Sequence, residues 1–546
     1  MTTEITDGVT TEKTTVKKRT VLLEMRPALD GYAGIPQETR LLFRGLCMMK
    51  SVEVEGLLQT SLRFLATGMP CSRQSASTDA VAESTRLNRY SRVVISLDSK
   101  PSKAPIEVAK LYMKRRREAF ALTCASLLRP AAHKIGTSVF EPQGFEAFIW
   151  QAMFAKTLPA SDFALVTSKN YRLCTVPWNI MQSAGLNSLK LVNKVTYPRL
   201  DTRGINVFIA QTPYPGRVDA DTTLVIRYHD ALPVFMPHAF ANKARHQATH
   251  FNALLSNVRS GAYFSCVSEA TRQDLLKIFP EVAARAVTIH NMVSPHFFFE
   301  NSSHERVLDI VRSRLNLQSM DTHPNFRSVG EQDSFYRQHL GSAPDMSATA
   351  AKAVASPLRY LLMVSTVEPR KNHMALVAAW QAIRAQLDPN LKLVVVGGLG
   401  WDVEPILREM RSWIDQGGIF MLNGVPADDL RVLYRHALAT VCPSLAEGFD
   451  FSGVEAMRCG GLAVASDIPV HREIYDDAAE YFDPYDANSL ADALNRTLYS
   501  HNSVDLRNSL IAKGNLVSRR YLPEAILPKW EAFLDDVGSS MKAKPV

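Results

Sequence analysis

Short apolar segments alternate with helical patterns along most of this chain, and this alternation restricts the fold more than any other feature. Residues 20–25 form the first apolar run, a turn containing Gly31 and Gly34 follows, and residues 37–49 have helical periodicity. Repeated strand-to-helix units imply a parallel sheet with crossover helices, so the predicted fold class is α/β. The other strand candidates are residues 92–97, 206–211, 223–228, 263–267, 286–290, 360–365, 392–396, 419–422, 438–442 and 462–466.

The length of 546 residues exceeds one ordinary hydrophobic core and indicates two domains. Both are predicted to be Rossmann-like, the first over residues 20–298 with an insertion near 61–105, and the second over residues 357–530. Residues 299–356 interrupt the alternation and are rich in Ser, His, Asp and Gln, which predicts a linker or a long excursion. We expect a disordered tail at residues 1–19 and a C-terminal tail at residues 531–546.

The composition, with 46% hydrophobic and 21% charged residues, is typical of a soluble globular protein. The seven cysteines are widely spaced and form no C-x-x-C pair, so neither a disulfide framework nor a zinc site is indicated. No run of about 18 apolar residues is present, and residues 1–19 lack the apolar core of a signal peptide. We expect a cytoplasmic protein, with peripheral contact to the inner face of the membrane left open.

A net charge of +8 favours anionic partners such as diphosphates or lipid headgroups. Nucleic acid is the rival partner, but no recognisable nucleic-acid-binding motif accompanies the charge, so we expect none. A basic run from Lys114 to Arg117 lies on a predicted helix over residues 106–128. Such a run either meets an anionic membrane or is a solvated helix face, and the sequence alone favours the solvated face. The sequence does not indicate an oligomeric state.

The segment from Glu447 to Glu455 separates two carboxylates by a loop of mostly small residues. An apolar run at 438–442 fits a buried strand, Pro443 ends that strand, and Ser452 can cap a helix that carries Glu455 in its first turn. Backbone N–H groups at a helix N-terminus point at anionic ligands, and carboxylates accept hydrogen bonds from hydroxyls. A diphosphate that carries two sugars has both features.

A second polar segment, residues 365–372, follows a strand and opens a helix. Its adjacent cations, Arg370 and Lys371, can bind a diphosphate, the arginine by a bidentate fork and the lysine as a point charge. His229 stands where the strand at 223–228 ends, at the edge where a parallel sheet opens into a crevice. There the imidazole can donate a hydrogen bond to a sugar hydroxyl or to a developing oxyanion.

The segment that starts at Glu447 resembles the E-x7-E motif of the retaining glycosyltransferases of family four. These enzymes have the GT-B fold, in which two Rossmann-like domains face each other across a cleft. The family pattern is close to E-G-F-G-L-P-x-x-E-A-M-A-C-G, and Asp450, Phe451 and Ser452 replace its Gly, Leu and Pro. Residues 365–372 are similar to G-T-L-E-P-R-K-N, a form of the family's diphosphate motif.

Site residues follow from this resemblance by position. It implies that Glu447 and His229 are the catalytic pair, with Glu447 orienting the donor sugar, and that Glu455 holds the ribose hydroxyls of the nucleotide. Residues 289–293 resemble the family segment I-P-N-G-V, with His290 and Met292 in place of Pro and Gly. The donor-binding residues implied in this way are Arg370, Lys371, Glu455, Gly448, Phe449, Asp450, Phe451 and Gly34.

The resemblance implies a hexosyltransferase that uses a nucleotide diphosphate sugar, retains the anomeric configuration and needs neither a cofactor nor a metal. No D-x-D sequence accompanies the donor motifs, and protein cations would stabilise the leaving diphosphate. The P-R-K-N form is similar to bacterial mannosyl- and rhamnosyltransferases of surface polysaccharides. GDP-mannose is therefore the favoured donor, and a glycan or lipid-linked glycan is the expected acceptor. A sugar epimerase, a glycan phosphorylase and a catalytically retired GT-B scaffold that only binds a partner are the alternatives.

Overall fold

The computed structural model describes residues 18–29, 31, 34–66, 79–98, 104–129, 132–315, 322–340 and 357–542, which form two α/β units. The predicted α/β class is confirmed. Most of the predicted tail at residues 1–19 lies outside these residues. Within the described ranges, no helix combines the length and the hydropathy that crossing a lipid bilayer requires.

The first unit contains an eight-stranded sheet that is parallel except at one edge. Its strands, together with two short ones that pair separately, are β1 (Arg19–Glu24), β2 (Val52–Leu58), β3 (Lys134–Ile135), β4 (Thr137–Phe140), β5 (Tyr171–Cys174), β6 (Arg199–Leu200), β7 (Val207–Ala210), β8 (Thr223–Tyr228), β9 (Tyr263–Cys266) and β10 (Ala286–Thr288). The order in the sheet is β10-β9-β8-β7-β1-β2-β5-β4, with β4 antiparallel to β5, and β3 pairs with β6.

Helices cover both faces of this sheet, so its central strands are apolar throughout. In β1, for example, the consecutive residues Val21, Leu22 and Leu23 are all fully buried. The helices of the unit are α1 (Ile35–Met48), α2 (Asp79–Asp98), α3 (Pro105–Leu128), α4 (Glu146–Ile149), α5 (Phe163–Thr167), α6 (Trp178–Val192), α7 (Leu232–Phe235), α8 (Lys243–Arg259) and α9 (Glu269–Ile278).

The strand predicted at residues 92–97 is wrong, because these residues belong to α2. Tyr90, Val93 and Leu97 are buried and lie three and four positions apart, which is helical spacing. The predicted insertion near 61–105 overlaps α2 and lies partly outside the described residues, since these exclude 67–78 and 99–103.

The second unit contains a six-stranded parallel sheet with the order β13-β12-β11-β14-β15-β16. Its strands are β11 (Tyr360–Val364), β12 (Lys392–Val396), β13 (Ile419–Leu422), β14 (Ala439–Cys442), β15 (Ala463–Ser466) and β16 (Ala479–Phe482). Its helices, and a last helix that leaves the unit, are α10 (Glu305–Leu315), α11 (Val329–Leu340), α12 (His373–Gln386), α13 (Glu404–Asp415), α14 (Ala427–His436), α15 (Phe451–Arg458), α16 (Pro469–Tyr475), α17 (Ala487–Leu498), α18 (Ser503–Ser518) and α19 (Pro523–Lys542).

Residues 299–356, predicted as a linker or excursion, contain α10 and α11. Val307, Ile310 and Val311 of α10 are buried in the core of the second unit, and Phe335 and Leu340 of α11 join the same cluster. The described part of this segment is therefore a helical addition to the second domain. Residues 316–321 and 341–356 lie outside the described residues.

The last helix, α19, returns from the second unit to the first. Its buried face, formed by Ile526, Trp530, Phe533, Leu534 and Val537, packs in the core that contains β1 and α1. The predicted boundary between residues 530 and 531 falls inside this helix. The last described helix therefore packs on the first domain, which also contains the first described strand.

A half-buried carboxylate also joins the two units. Glu473 of α16 accepts hydrogen bonds from the backbone N–H groups of Glu269 (2.6 Å) and Ala270 (2.9 Å) at the start of α9. Its Oε1 also lies 2.7 Å from His290 Nε2. A helix N-terminus favours a negative charge, so Glu473 caps a helix of the opposite domain. Burial raises the pKa of Glu473, but these hydrogen bonds and His290 lower it below its ordinary value.

Candidate active site

The loop that carries Glu447 leads from β14 into α15, as the sequence predicts, but the helix is capped differently. Asp450, not Ser452, is the N-cap, and its side chain accepts a hydrogen bond from the backbone N–H of Ser452 at 3.1 Å and from the Ser452 hydroxyl at 2.7 Å. Asp is as good a capping residue as Ser, and it begins the helix two residues earlier. Glu455 consequently lies in the second turn of α15.

Glu447 is the centre of a cluster of charges. Its Oε2 accepts a hydrogen bond from Arg370 Nη1 at 2.8 Å, and its Oε1 accepts one from Lys371 Nζ at 2.5 Å. Burial alone would raise the pKa of Glu447, but the two cations lower it below its ordinary value. The carboxylate is therefore ionised and joins the E-x7-E loop to the segment after β11.

Arg370 is held on several sides. Its guanidinium donates to Glu368 Oε1 at 2.7 Å and to the Ala446 carbonyl at 2.7 Å, in addition to Glu447. The arginine and Lys371 lie on a short 3-10 turn, and Asn372, with φ 60°, separates that turn from α12. The cations therefore lie just before the helix, beside the carboxyl ends of two adjacent strands, β11 and β14. This is the edge at which open parallel sheets bind ligands.

Gly448 brings the two domains into direct contact. A Cβ atom at Gly448 would lie 1.7 Å from the carbonyl oxygen of His229, so only a glycine fits there. The hydroxyl of Thr271 lies 3.4 Å from the carbonyl oxygens of both His229 and Gly448. The predicted catalytic residues His229 and Glu447 are thus brought to the same cleft from opposite domains.

His229 is a neutral imidazole. The residue is half-buried, and its pKa lies well below the ordinary value because the ring is desolvated and the Arg227 guanidinium is near. Its Nε2 lies 3.2 Å from Gln211 Oε1. The adjacent Asp230 has a pKa raised by burial, which the Arg370 guanidinium partly offsets and the Glu447 carboxylate reinforces. Asp230 therefore lies within the electrostatic reach of the charge cluster.

Glu455 spans the domains through hydrogen bonds. Its Oε1 accepts from Gln37 Nε2 at 2.7 Å, and its Oε2 accepts from the Tyr434 hydroxyl at 3.0 Å. Burial raises the pKa of Glu455 to about 7, although both donors act to lower it. Gln37 lies in the first turn of α1, and Gly34, with φ 71°, is the N-cap of that helix. The predicted glycine loop therefore places α1 against the E-x7-E helix.

The three residues between Gly448 and Ser452 are buried in the second domain. Phe449 and Phe451 are each 8% exposed, with ring centroids 5.1 Å apart, and Phe449 also packs against Tyr521. Asp450 Oδ2 lies 3.3 Å from His471 Nε2. Burial would raise the pKa of Asp450, but His471 and Lys371 lower it far below its ordinary value. These buried side chains fix the conformation of the loop between Gly448 and Ser452.

Sequence reasoning missed several partners of the site, namely Gln37, Gln211, Glu368, Tyr434 and Glu473. Glu368 lies two residues before the predicted Arg370, and Gln211 is the last residue of the strand predicted at 206–211. The sequence pattern could therefore have indicated both residues. Gln37 and Glu473 act on the opposite domain, where no local pattern could find them. In the part of the chain that the structure describes, no group of three or more His, Cys, Asp or Glu side chains is arranged to hold a metal ion.

Residues 349–516 match the family model described as "Glycosyl transferases group 1". This match covers about a third of the chain and most of the second domain. The matched residues include the cation pair and the E-x7-E segment, so the resemblance inferred from those motifs is confirmed.

Relatives and a solved structure agree with this assignment. O-antigen chain mannosyltransferase B of Escherichia coli is 33% identical over 132 residues, which are 24% of this chain and 35% of that protein. Serotype-specific mannosyltransferase WbdA of Escherichia coli is 24% identical over 276 residues, 50% of this chain and 28% of that protein. The chain thus spans about a third of the length of each of these two relatives.

Sucrose-phosphate synthase from Thermosynechococcus elongatus superimposes with a TM-score of 0.54 at 14% identity, over 96% of this chain and 100% of that one. At that identity the likeness concerns the fold alone. The predicted GT-B arrangement of two Rossmann-like domains is confirmed.

The raised pKa of Glu455 predicts a specific dependence of stability on pH. Because the folded-state pKa of about 7 exceeds the ordinary 4.5, the protonated form stabilises the fold below pH 4.5, and this contribution is lost as pH rises through 7. Glu455→Gln mimics the protonated form and should lack the loss. The free energy of unfolding of the variant should match wild type at acid pH and exceed it by about 3 kcal/mol above neutrality.

Urea denaturation of both proteins across this pH range measures the difference. The acid end serves as the internal control, since the two proteins should be equally stable there. Parallel stability curves over the whole range would contradict a protonated, domain-spanning Glu455.

Proposed function

We propose that this protein transfers a hexose from a nucleotide diphosphate sugar to a glycan or lipid-linked glycan, with retention of the anomeric configuration and without a metal. The observation that carries the proposal is the cluster of Arg370, Lys371 and Glu447 at the carboxyl ends of β11 and β14. His229 of the opposite domain meets the same loop at Gly448. A leaving diphosphate needs cations at this point, and a sugar needs hydrogen-bond acceptors beside them.

The cations and the carboxylate would divide this work. Diphosphate oxygens would compete with Glu447 for Lys371 and Arg370, and the Glu447 carboxylate would then accept hydrogen bonds from the sugar hydroxyls. Both Glu447 oxygens are bonded to cations, which supports an orienting role over that of a covalent nucleophile. Glu455 would bind the ribose hydroxyls after releasing Gln37 and Tyr434.

The donor and pathway are inferred from the relatives. The two Escherichia coli relatives are named as mannosyltransferases, one of them of the O-antigen chain. We therefore favour GDP-mannose as donor and a surface polysaccharide as product. The reaction would take place in the cytoplasm, where nucleotide sugars are made.

A transfer assay tests the function. The purified protein is incubated with nucleotide sugars and acceptor glycans, and the anomeric configuration of the product is read by proton NMR. We expect transfer from GDP-mannose, an α-linked product from the α-linked donor, and unchanged turnover in EDTA. A β-linked product would contradict retention, and turnover that EDTA abolishes and Mg²⁺ or Mn²⁺ restores would contradict metal independence.

A variant pair links the transfer to the charge cluster. Lys371→Ala should weaken nucleoside diphosphate binding by about 1.5–3 kcal/mol, the range for a hydrogen bond to a charged group. Lys513→Ala, which removes a lysine paired with Asp477 on the second domain, is the control and should leave the affinity unchanged by calorimetry. If the protein isomerises the donor without an acceptor, it is an epimerase. If it only releases free sugar from the donor, it is a hydrolase.

We also propose that α3 contacts an anionic membrane surface beside the cleft. Between residues 106 and 117, both apolar and basic side chains face solvent: Ile106 is 70% exposed and Met113 65%, and the side chains of Lys110 and Arg117 are 73% and 81% exposed. Arg115 donates to the Leu62 carbonyl at 2.8 Å, just after β2 ends. The helix therefore flanks the edge of the first sheet that faces the cleft.

Vesicle sedimentation tests this contact. The double variant Lys110→Glu/Arg117→Glu should bind vesicles containing phosphatidylglycerol at least about tenfold more weakly than wild type, because each basic residue near an anionic surface contributes about 1 kcal/mol. The control Arg408→Glu/Arg519→Glu makes the same charge change on the second domain and should bind as wild type. Equal losses for both variants would show only the effect of net charge, and no binding by wild type would refute the proposal.

A further inference from the structure

A chain of buried polar side chains runs from His229 into the first domain. Gln211, fully buried after β7, has its side-chain oxygen 3.2 Å from His229 Nε2, and its amide acts on the pKa of the buried Glu38 of α1. Glu38 in turn accepts a hydrogen bond from Arg227 Nε at 2.9 Å. None of these three residues belongs to the motifs that identified the site.

Arg227 lies at the other end of this row of side chains and determines the charge of Glu38. Its guanidinium is fully buried and lies 5.2 Å from the ring centre of Trp530 in α19. Its other partners are uncharged, namely the Ser265 hydroxyl, the Ile289 carbonyl and the Asn291 amide oxygen. Arginine keeps its proton in proteins, and a buried cation without a counter-ion is strongly unfavourable. Glu38 is therefore the ionised partner of Arg227 and can only accept hydrogen bonds.

An ionised Glu38 sets the orientation of Gln211. Burial raises the pKa of Glu38 above its ordinary value, while the Arg227 guanidinium and the Gln211 amide each act to lower it. Glu38 Oε2 and Gln211 Nε2 are both buried, and neither has a hydrogen-bond partner among the described residues. The Gln211 carbonyl oxygen is the atom 3.2 Å from His229 Nε2, so the NH₂ group lies on the other side of the amide, toward Glu38. The Gln211 backbone N–H is held as well, by Glu24 Oε2 at 2.8 Å.

We propose that Gln211 and Glu38 are positioning residues that hold His229 in the tautomer protonated at Nε2, so that Nδ1 accepts a hydrogen bond from a sugar hydroxyl. The Gln211 carbonyl accepts, so Nε2 must carry the proton of the neutral ring. The sequence alone predicts a histidine that donates a hydrogen bond to the sugar. The arrangement of Glu38, Gln211 and His229, called the relay below, instead makes the His229 ring an acceptor toward the sugar. The proposal rests on the proposed sugar transfer only for the identity of the hydroxyl.

Nitrogen NMR of the free protein tests the tautomer without any activity. In protein labelled with ¹⁵N-histidine, long-range proton–nitrogen spectra distinguish a protonated ring nitrogen from a bare one, and His229→Gln assigns the signal. We expect His229 with Nε2 protonated and Nδ1 bare. A ring protonated at Nδ1, or at both nitrogens, would overturn the proposal even if sugar transfer is established.

Matched variants test the relay. Gln211→Met removes both polar atoms at similar volume, and it should give a mixture of His229 tautomers and lower kcat about threefold to tenfold, the loss expected for one hydrogen bond. Gln59→Met is the control, because Gln59 is also a fully buried glutamine after a strand, bonded to the Val176 carbonyl at 2.8 Å. The control should leave the His229 tautomer unchanged. Identical His229 spectra for wild type and Gln211→Met, or equal shifts in both variants, would overturn the relay.

Discussion

The backbone of Gly448 lies so close to the His229 carbonyl oxygen that no side chain fits between the two domains at this point. This contact joins the two domains at the proposed active site. It brings a loop that follows β14 of one sheet against a histidine that follows β8 of the other. Because both residues stand at carboxyl ends of parallel strands, the two sheets present their ligand-binding edges to each other.

Other contacts keep the two domains in this arrangement. Glu473 caps α9 across the boundary and binds His290, the residue that stands where the family segment has proline. Gln37 reaches Glu455 from α1, and α19 packs against the core of the first domain. Two of these contacts use carboxylates with opposite pKa shifts. The pKa of the half-buried Glu473 is lowered by its partners, and the pKa of the buried Glu455 is raised by burial. The interface therefore contains one carboxylate that is ionised at neutral pH, Glu473, and one that keeps its proton up to a pH of about 7, Glu455.

The local part of the architecture could be predicted from the sequence. The strand before His229 was placed at residues 223–228, as in the structure, because it is apolar and followed by a polar break. The cation pair and Glu447 were found because strand, loop and helix signals lie in a few adjacent residues. Strand β2 was missed, since its exposed and half-buried Glu53 and Glu55 interrupt the apolar run.

Long-range relations could not be predicted in this way. Glu447 was predicted to contact the donor, but its ionic bonds with Arg370 and Lys371 join segments about 76 residues apart. Gln37 and Glu455 are separated by 418 positions. No periodicity or capping rule connects such distant residues, and the return of α19 to the first domain depends on the same kind of contact. The fold class is set by local pattern, whereas the finished site depends on how two domains meet.

The turnover of Gly448→Ala tests most directly whether the contact between Gly448 and His229 assembles the site. An added methyl group would overlap the His229 carbonyl, so the domains must separate, and a misplacement of about 1 Å can reduce catalysis about 100-fold. Gly136→Ala is the control, because a Cβ atom there meets nothing within 4 Å. We predict that Gly448→Ala stays folded by circular dichroism but loses about 100-fold in kcat/KM for sugar transfer, while Gly136→Ala retains wild-type turnover. Wild-type turnover by Gly448→Ala would contradict the claim that this contact assembles the site.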